Sequence, residues 1–418
     1  MSERKRINLC LAHMSEKGFE QKYIKEAFDT NWVVPLGPNV NAFEKDLEAF
    51  IGENKRVVAL SSGTAAVHLA LIACGVGPGD EVCVQSFTFC ASSHPVTYLG
   101  ATPVFIDSEK DTWNMDPELL EEAIKDRIAK TGKKPKAIEP VALFGMPYNI
   151  DRIMEIANKY DIPVVEDAAE GFGSRWNGQI LGTFGKYGIL SFNGNKMITT
   201  SGGGALITKN EDEWREIMMY ATQYRESYPY YQHEKIGYNY RMSNICAGIG
   251  RGQMTVANDH IAHHKHVQAL YEELLKDVPG IHVHSQPATG EYDSNYWLCT
   301  ITLDPDIKIK GQENAYKAIV QGAVGGAAGI IHMADSATTD CQPNDNVEAL
   351  RVFMDQAGIE ARPVWKPMHK QPVYKDAPAY VNGVSEAIFK VGMCLPAGPY
   401  VSDEDVKYIV DTIKSAID

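Results

Sequence analysis

Short apolar segments alternate with helical patterns along the first half of the chain, and this alternation restricts the fold most. Strands are predicted over residues 57–62, 80–89, 103–107, 136–144, 163–167 and 188–192. Segments with helical spacing separate most of these strands, for example 63–75, 116–130 and 150–160. Strands that alternate with helices form βαβ units, so we expect an α/β fold with a mostly parallel sheet covered on both faces.

The pattern changes after about residue 215. The chain is then helix-rich to residue 277, with a strand at 296–303 and helices at 346–357 and 403–416. A chain of 418 residues is long enough for two domains. We predict an N-terminal segment (1–30), a large α/β domain (31–250), and a linking helix followed by a smaller α+β domain (251–418).

Composition excludes several classes of function. The net charge of −14, without a basic tract, argues against nucleic-acid binding. No apolar segment follows the charged N-terminus, and the least polar stretch, 318–334, is short and interrupted by polar residues and glycines. The eight cysteines form no CxxC pair, so neither a zinc site nor a disulfide framework is indicated. We therefore expect a soluble cytoplasmic protein that does not bind membranes.

The first of three strand-end turns is SSGTAA (61–66), where a predicted strand runs into a helix. A helix N-terminus presents free backbone N–H groups and a positive dipole end, which favour a phosphate. Gly63 allows close approach of the backbone, and Ser62 and Thr64 add hydroxyl groups. An ordinary helix cap is the alternative interpretation of this turn.

The second turn is VVEDAAEGFGS (164–174), where two acids close a strand of buried type. Ligands of open α/β sheets bind at the carboxyl ends of the strands. Glu166 and Asp167 point to opposite faces, so one of them can face a given cleft. The alternative is that Asp167 caps a following helix.

The third turn is SFNGNKMITTSGGG (191–204), in which Lys196 follows a strand that ends at Ser191. The glycine triplet 202–204 leaves room for a bulky ligand. A phosphate-binding turn, a strand-end carboxylate and a lysine are together what pyridoxal phosphate requires. The lysine forms a Schiff base, and the carboxylate keeps the pyridine nitrogen protonated so that the ring accepts electrons.

Six segments, in the same order along the chain, resemble the DegT/DnrJ/EryC1/StrS sugar aminotransferases. The resemblance covers residues 5–308 and 346–418 and implies a fold-type I, aspartate aminotransferase-like enzyme that aminates nucleotide-linked keto sugars. The segments are SSGTAAVHLAL, QSFTFCASSHPVTYLGATPVFID, VVEDAAEGFGS, SFNGNKMITTSGGGALIT, GYNYRMSNICAGIG and ARPVWKPMHKQP.

The resemblance also implies roles for individual residues. Lys196 is the Schiff-base lysine and proton shuttle, and Asp167 is the partner of the pyridine nitrogen. Phe89 stacks on the cofactor ring, Glu170 faces its phenolic oxygen, and Asn239 reaches the cofactor phosphate of a second subunit in a homodimer. The remaining phosphate-binding residues are Ser62, Gly63, Thr64 and Ser191.

The implied reaction has two halves. L-glutamate loads the cofactor as pyridoxamine phosphate and leaves as 2-oxoglutarate, and a keto sugar then takes the amine. Asn193, in SFN, resembles members that act on UDP-linked 2-acetamido-2,6-dideoxy-4-keto hexoses for surface glycans or capsules. A dTDP- or GDP-linked keto sugar is the alternative substrate. A non-catalytic regulatory protein of this fold is the alternative function, and the intact Lys196 and Asp167 argue against it.

Other segments carry weaker expectations. Arg225, Arg241 and His369 are candidate substrate contacts, each with a structural alternative. Segment 310–345 matches no part of the family pattern and is expected to be a surface insertion. The histidines of HIAHHKH (260–266) are interpreted as a solvated helix face rather than a zinc site.

Overall fold

A computed structural model describes residues 5–52, 54–316 and 341–418. The helices in these ranges are α1 (Phe19–Asp29), α2 (Pro38–Ile51), α3 (Gly63–Ala73), α4 (His94–Tyr98), α5 (Pro117–Thr131), α6 (Ile150–Tyr160), α7 (Glu211–Ala221), α8 (Asn244–Met254), α9 (Ala257–Leu275), α10 (Asp345–Gln356), α11 (Val384–Val391) and α12 (Asp403–Ala416). The strands are β1 (Arg56–Leu60), β2 (Glu81–Gln85), β3 (Thr102–Ile106), β4 (Ala137–Glu139), β5 (Val165–Asp167), β6 (Arg175–Trp176), β7 (Gln179–Ile180), β8 (Tyr187–Ser191), β9 (Gly204–Thr208), β10 (Ile281–Val283), β11 (Tyr292–Asp293), β12 (Cys299–Leu303), β13 (Arg362–Pro363), β14 (Ala379–Tyr380) and β15 (Gly392–Leu395).

A large mixed sheet forms the centre of the first half. Its two hydrogen-bonded groups, β14-β3-β2-β4 and β5-β8-β9-β1, are joined by bridges from Ile138 to Val164 and from Val141 to Asp167. All neighbours are parallel except around β9, which runs antiparallel to both β1 and β8. Parallel strands present their carboxyl ends at one edge, so β2, β5 and β8 end close together.

A smaller antiparallel sheet, β10-β12-β15-β13, belongs to the second half. Its buried residues share a core with α9, α10 and α12. The chain nevertheless returns to the first sheet, because β14 pairs with β3. The proposed boundary at residue 250 therefore leaves β14 on the far side from the sheet to which it belongs.

The two longest predicted strands end earlier than expected. The strand predicted over 80–89 ends at Gln85, and the chain then turns tightly, with Thr88 N donating to Ser86 O. The strand predicted over 136–144 ends at Glu139, before a proline and a short 3-10 helix at Leu143–Gly145. In both cases apolar residues beyond the strand are buried in loops, which the apolar pattern does not distinguish from a strand.

The prediction of a solvated histidine face over 260–266 is wrong for two of its four histidines, whereas His266 is exposed and His263 is half-buried. His260 and His264 are both buried, and their Nδ1 atoms lie 3.2 Å from Met197 O and 3.1 Å from Tyr296 O. Their i,i+4 spacing places them together on the inner side of α9. In the described ranges, no group of three or more His, Cys, Asp or Glu side chains is arranged to hold a metal ion.

None of the helices described is both long and apolar enough to cross a membrane. The apolar stretch 318–334 and most of segment 310–345 lie outside the described residues.

Candidate active site

A cleft of about 440 Å³ lies at the carboxyl ends of β2, β5 and β8, beside the start of α3. It is lined by eight of the nine residues that were predicted to bind the cofactor. These are Ser62, Gly63, Thr64, Phe89, Asp167, Glu170, Ser191 and Lys196.

The start of α3 forms one end of the cleft. The Ser62 side chain caps the helix by accepting a hydrogen bond from Ala65 N at 3.0 Å. The N–H groups of Gly63 and Thr64 lie in the first turn, where a helix supplies no partner. Gly63 is in close contact with β8, since an added Cβ would lie 3.1 Å from Ser191 Cβ. The turn thus caps the helix and also presents N–H and hydroxyl groups suited to a phosphate.

Asp167 lies at the floor of the cleft and is 4% exposed. Its Oδ2 accepts a hydrogen bond from Ser92 Oγ at 2.8 Å, and its Oδ1 accepts one from Ala169 N at 3.0 Å. Burial raises the pKa of Asp167, while the Ser92 and Ala169 hydrogen bonds and the Lys196 charge oppose the shift. The element that follows Asp167 is strand β6 rather than a helix, so Asp167 does not cap one.

Glu166 points to the opposite face of the sheet, as alternation along a strand requires. Its Oε2 accepts from Phe184 N at 3.1 Å and Gly185 N at 3.4 Å. Of the two consecutive acids, the cleft therefore receives Asp167 alone.

Lys196 is held between an acid and an aromatic ring. Its Nζ lies 3.4 Å from Glu170 Oε1 and 3.9 Å from the centre of the Trp297 ring. Glu170 is fixed in turn, because its Oε2 accepts from Phe144 N at 2.7 Å. Burial raises the pKa of the Glu170 carboxyl, and the Lys196 charge is the main opposing effect. The lysine amine thus reaches the cleft from a defined position.

The glycine triplet serves chain packing more than ligand access. A Cβ at Gly204 would overlap the backbone of Ser62 and Gly63, and one at Gly203 would overlap Thr200. Gly202 has open space around it and lines the cleft with Gly203. The expectation that the whole triplet makes room for a ligand is therefore wrong for Gly204, which lets β9 approach the start of α3.

Four predicted residues lie elsewhere in the chain. Asn239 is exposed, and Arg225 is exposed with its guanidinium 5.1 Å from the Tyr231 ring. The Arg241 side chain is 9% exposed and is paired with Glu44, and it also donates to Ala59 O at 2.9 Å. His369 Nδ1 lies 2.6 Å from Ser86 Oγ. None of the four lines the cleft within its own chain.

Sequence reasoning gave no role to several residues that line the cleft, among them Thr88, Ser92, Asn195, Trp297 and Trp365. Thr88 and Ser92 lie in the quoted segment 85–107, and two hydroxyl groups following a strand were a usable signal. The two tryptophans come from the second half. Trp365 lies in the quoted segment 361–372, whereas nothing in the local sequence of Trp297 indicates that it reaches the cleft.

The sequence model of the "DegT/DnrJ/EryC1/StrS aminotransferase family" matches residues 14–326 and 331–414. The chain belongs to this family. The expectation that segment 310–345 matches no part of the family is therefore wrong, because the match enters the segment from both sides and leaves residues 327–330 between its two parts.

Two relatives and one solved structure illustrate the similarity. "Putative pyridoxal phosphate-dependent aminotransferase EpsN" of Bacillus subtilis (strain 168) is 40% identical over 98% of this chain and 95% of its own. GDP-perosamine synthase of Escherichia coli O157:H7 is 32% identical, over 95% of each chain. "Putative sugar aminotransferase Spr1654 from Streptococcus pneumoniae, PLP-form" is 25% identical over 98% of each chain, with a TM-score of 0.81.

The family fixes the fold class and the cofactor. The protein is a pyridoxal phosphate-dependent sugar aminotransferase by family, and Spr1654 is also known in a PMP form. The described residues fit this cofactor. The start of α3 suits its phosphate, the buried Asp167 suits its ring nitrogen, and the amine of Lys196 points into the same cleft.

Proposed function

We propose that this protein transfers the amino group of L-glutamate to C4 of a UDP-linked 2-acetamido-2,6-dideoxy-4-keto hexose, and that the product serves surface polysaccharide synthesis. The observation that carries the proposal is the convergence of Lys196, Asp167 and the start of α3 in one cleft. A non-catalytic binding protein would need no lysine amine beside a buried carboxylate.

Each lining residue has a proposed binding role. Gly63 and Thr64 would bind the cofactor phosphate through their N–H groups, helped by the Ser191 hydroxyl. Phe89, whose ring is 54% exposed, would cover the cofactor ring. Asp167, oriented by Ser92, would hold the proton on the ring nitrogen.

When bound, pyridoxal phosphate carries the amino group between the two substrates and accepts electron density into its ring. The proton transfers are proposed for Lys196. Its Nζ would hold the cofactor covalently between reactions and, once released, would move a proton to or from the reacting carbon. Glu170 lies close enough to Nζ to keep the amine near the cleft when it is not bound to the cofactor.

The sugar is assigned from the loop that carries Lys196. Asn193 and Asn195 both line the cleft, and their side chains lie 3.4 Å apart. Amide groups at that position can donate to and accept from hydroxyl and acetamido groups of a sugar. This arrangement supports, through Asn193, the UDP-linked acetamido sugar.

A GDP-linked 4-keto sugar is the second candidate substrate. The observation that favours it is the 32% identity to GDP-perosamine synthase along nearly the whole chain. Both candidates require amination of a keto carbon and differ in the nucleotide and at C2 of the sugar.

The test is incubation of the purified enzyme with glutamate and UDP-, GDP- and dTDP-linked keto sugars, followed by NMR of the products. A UDP-linked 4-amino sugar is expected, and exclusive amination of the GDP sugar would select the second candidate. Lys196→Ala is the matched control. It should form no product and lose the covalent, borohydride-reducible attachment of the cofactor while remaining folded. Retained attachment in this variant would move the role to another lysine.

A further inference from the structure

Trp297 makes two separate contacts with the loop that carries Lys196. The face of its ring lies against the lysine amine, with 3.9 Å between Nζ and the ring centre. Its Nε1 donates to Asn195 O at 2.7 Å. The ring is only 2% exposed, so it has little freedom to turn away.

Asn295, two residues before Trp297, is hydrogen-bonded to the turn that carries Glu170. Asn295 Nδ2 donates to Glu170 O and Phe172 O, both at 2.9 Å. Its Oδ1 accepts from Trp297 N at 2.8 Å. A Cβ at Gly145 would overlap Asn295 Oδ1, so this position requires glycine. One short segment of the second half thus fixes both the Glu170 turn and the Lys196 loop.

The Trp297 ring and the Glu170 carboxylate both contact the Lys196 amine. The negatively polarised face of an indole attracts a cation, and this attraction is strongest where water is excluded. Trp297 and Glu170 approach Nζ with a ring face and a carboxylate, and both side chains are buried. The amine is therefore restrained in direction when it is not bound to the cofactor.

We propose that Trp297 is a positioning residue for Lys196, whose ring face seats the amine beside Glu170 and whose N–H fixes the Lys196 loop. This rests on the proposed role of Lys196 as the cofactor-bearing lysine. It predicts that loss of the ring slows proton transfer without weakening the binding of glutamate.

The experiment compares Trp297→Phe, which keeps a ring face, with Trp297→Leu, which removes it. Both are measured as holoenzymes in the half-reaction with glutamate. Trp297→Leu should lower the maximal rate of this half-reaction about tenfold, with little change in the glutamate concentration that gives half of that rate. Trp297→Phe should largely restore the rate. Trp214→Leu is the matched control. Its indole also donates to a backbone oxygen, Val57 O, and lies 4.6 Å from the Arg56 guanidinium, but it is remote from the cleft.

A second measurement needs no turnover. The pH midpoint of the bound cofactor's visible absorbance, without substrates, should fall by about one unit in Trp297→Leu, because the ring favours the charged nitrogen. It should return toward the wild-type value in Trp297→Phe. If Trp297→Leu does not fold, Trp297→Met replaces it.

The proposal is overturned if the leucine variant keeps both the wild-type rate of the half-reaction and the wild-type midpoint. The role of the ring face is overturned if the phenylalanine variant is as impaired as the leucine variant, because both variants lack the Nε1–H donor and only the phenylalanine variant keeps a ring face. Either result leaves the absorbance band of attached cofactor in place. Failure of the proposed role of Lys196 would instead appear as a band that survives in Lys196→Ala.

Discussion

Asp167 and Glu166 are adjacent acids, both buried, yet they have different surroundings. Asp167 accepts from Ser92 and faces the cleft, whereas Glu166 accepts from backbone N–H groups on the far side of the sheet. An amide at position 167 cannot hold a proton on the ring nitrogen by its charge. We expect Asp167→Asn to bind cofactor and to lose roughly a thousandfold in kcat, or about 4 kcal/mol of barrier.

Glu166→Gln is the control for that measurement, and it should retain most of the activity. Steady-state rates and cofactor absorbance of the two variants decide the assignment. An inactive Glu166→Gln with an active Asp167→Asn would reverse it.

The burial of Glu166 also leads to a prediction about the stability of the folded protein. Burial raises the pKa of Glu166 to about 7, although hydrogen bonds from the N–H groups of Gly182, Phe184 and Gly185 oppose the shift. In the unfolded chain a glutamate titrates near about 4.3. Between these two pH values the folded state binds more protons than the unfolded chain does. The contribution of Glu166 to stability therefore falls as pH rises and changes no further above pH ~7.

A glutamine at position 166 does not titrate. Between pH 5 and 7.5 the free energy of unfolding should therefore fall less in Glu166→Gln than in the wild type, and the two decreases should differ by roughly 2 kcal/mol. Urea unfolding at the two pH values measures this difference. Other buried carboxyl groups are present in both proteins and cancel in the comparison. Parallel pH profiles would show that Glu166 is not the titrating group.

At the scale of elements, the cleft depends on how closely β9 approaches the start of α3. A Cβ at Gly204 would overlap Gly63 N and the Ser62 carbonyl carbon, both of which are backbone atoms that cannot rotate away. Gly204→Ala should therefore displace the phosphate-binding turn. We expect cofactor affinity to fall at least about tenfold, the effect of losing one hydrogen bond to a charged group.

Titration of cofactor into the apoenzyme, followed by absorbance, measures that change. Gly77→Ala is the control, because an added Cβ at Gly77 meets no atom within 4 Å. Unchanged affinity in Gly204→Ala would mean that β9 and α3 can separate without disturbing the turn.

The positions of the helices and strands also show which parts of the site could be predicted from the sequence. Strand ends carry Asp167 and Ser191, and a helix starts at Gly63, so local patterns were enough to predict that these residues meet. Contacts between distant segments were not predictable in this way. Ser92 reaches Asp167 across 75 positions, and Trp297 reaches Asn195 across 102. Such contacts depend on how the two halves pack, which hydrophobic periodicity does not specify.

At the scale of the whole molecule, the cleft has too few cations for its ligands. Lys196 is the one cationic side chain among the described residues that line it. The cofactor phosphate, the carboxylates of glutamate and the diphosphate of a nucleotide sugar all require positive or N–H partners. A second subunit is the proposed source of the missing groups.

The arm formed by residues 222–239 has the properties expected of such a contribution. It is closed by bridges between Thr222 and Asn239 and between Arg225 and His233. Its outer side carries large exposed side chains, including Tyr231 at 80% and Ile236 at 83%. Exposed apolar groups beside polar ones are typical of interaction surfaces. We therefore predict a homodimer in which Asn239 binds the cofactor phosphate of the partner subunit.

Mixing two defective variants tests this arrangement. Each hydrogen bond to a charged group contributes roughly 1.5–3 kcal/mol, so Asn239→Ala should weaken cofactor binding without abolishing the chemistry. Lys196→Ala should be inactive. If the two residues act in different subunits, a mixed dimer has one site with both defects and one site with neither. Activity at limiting cofactor should then rise well above that of either parent, with wild type mixed with Lys196→Ala as the reference. No recovery, although heterodimers are detected by differently tagged subunits, would mean that Asn239 acts within its own chain.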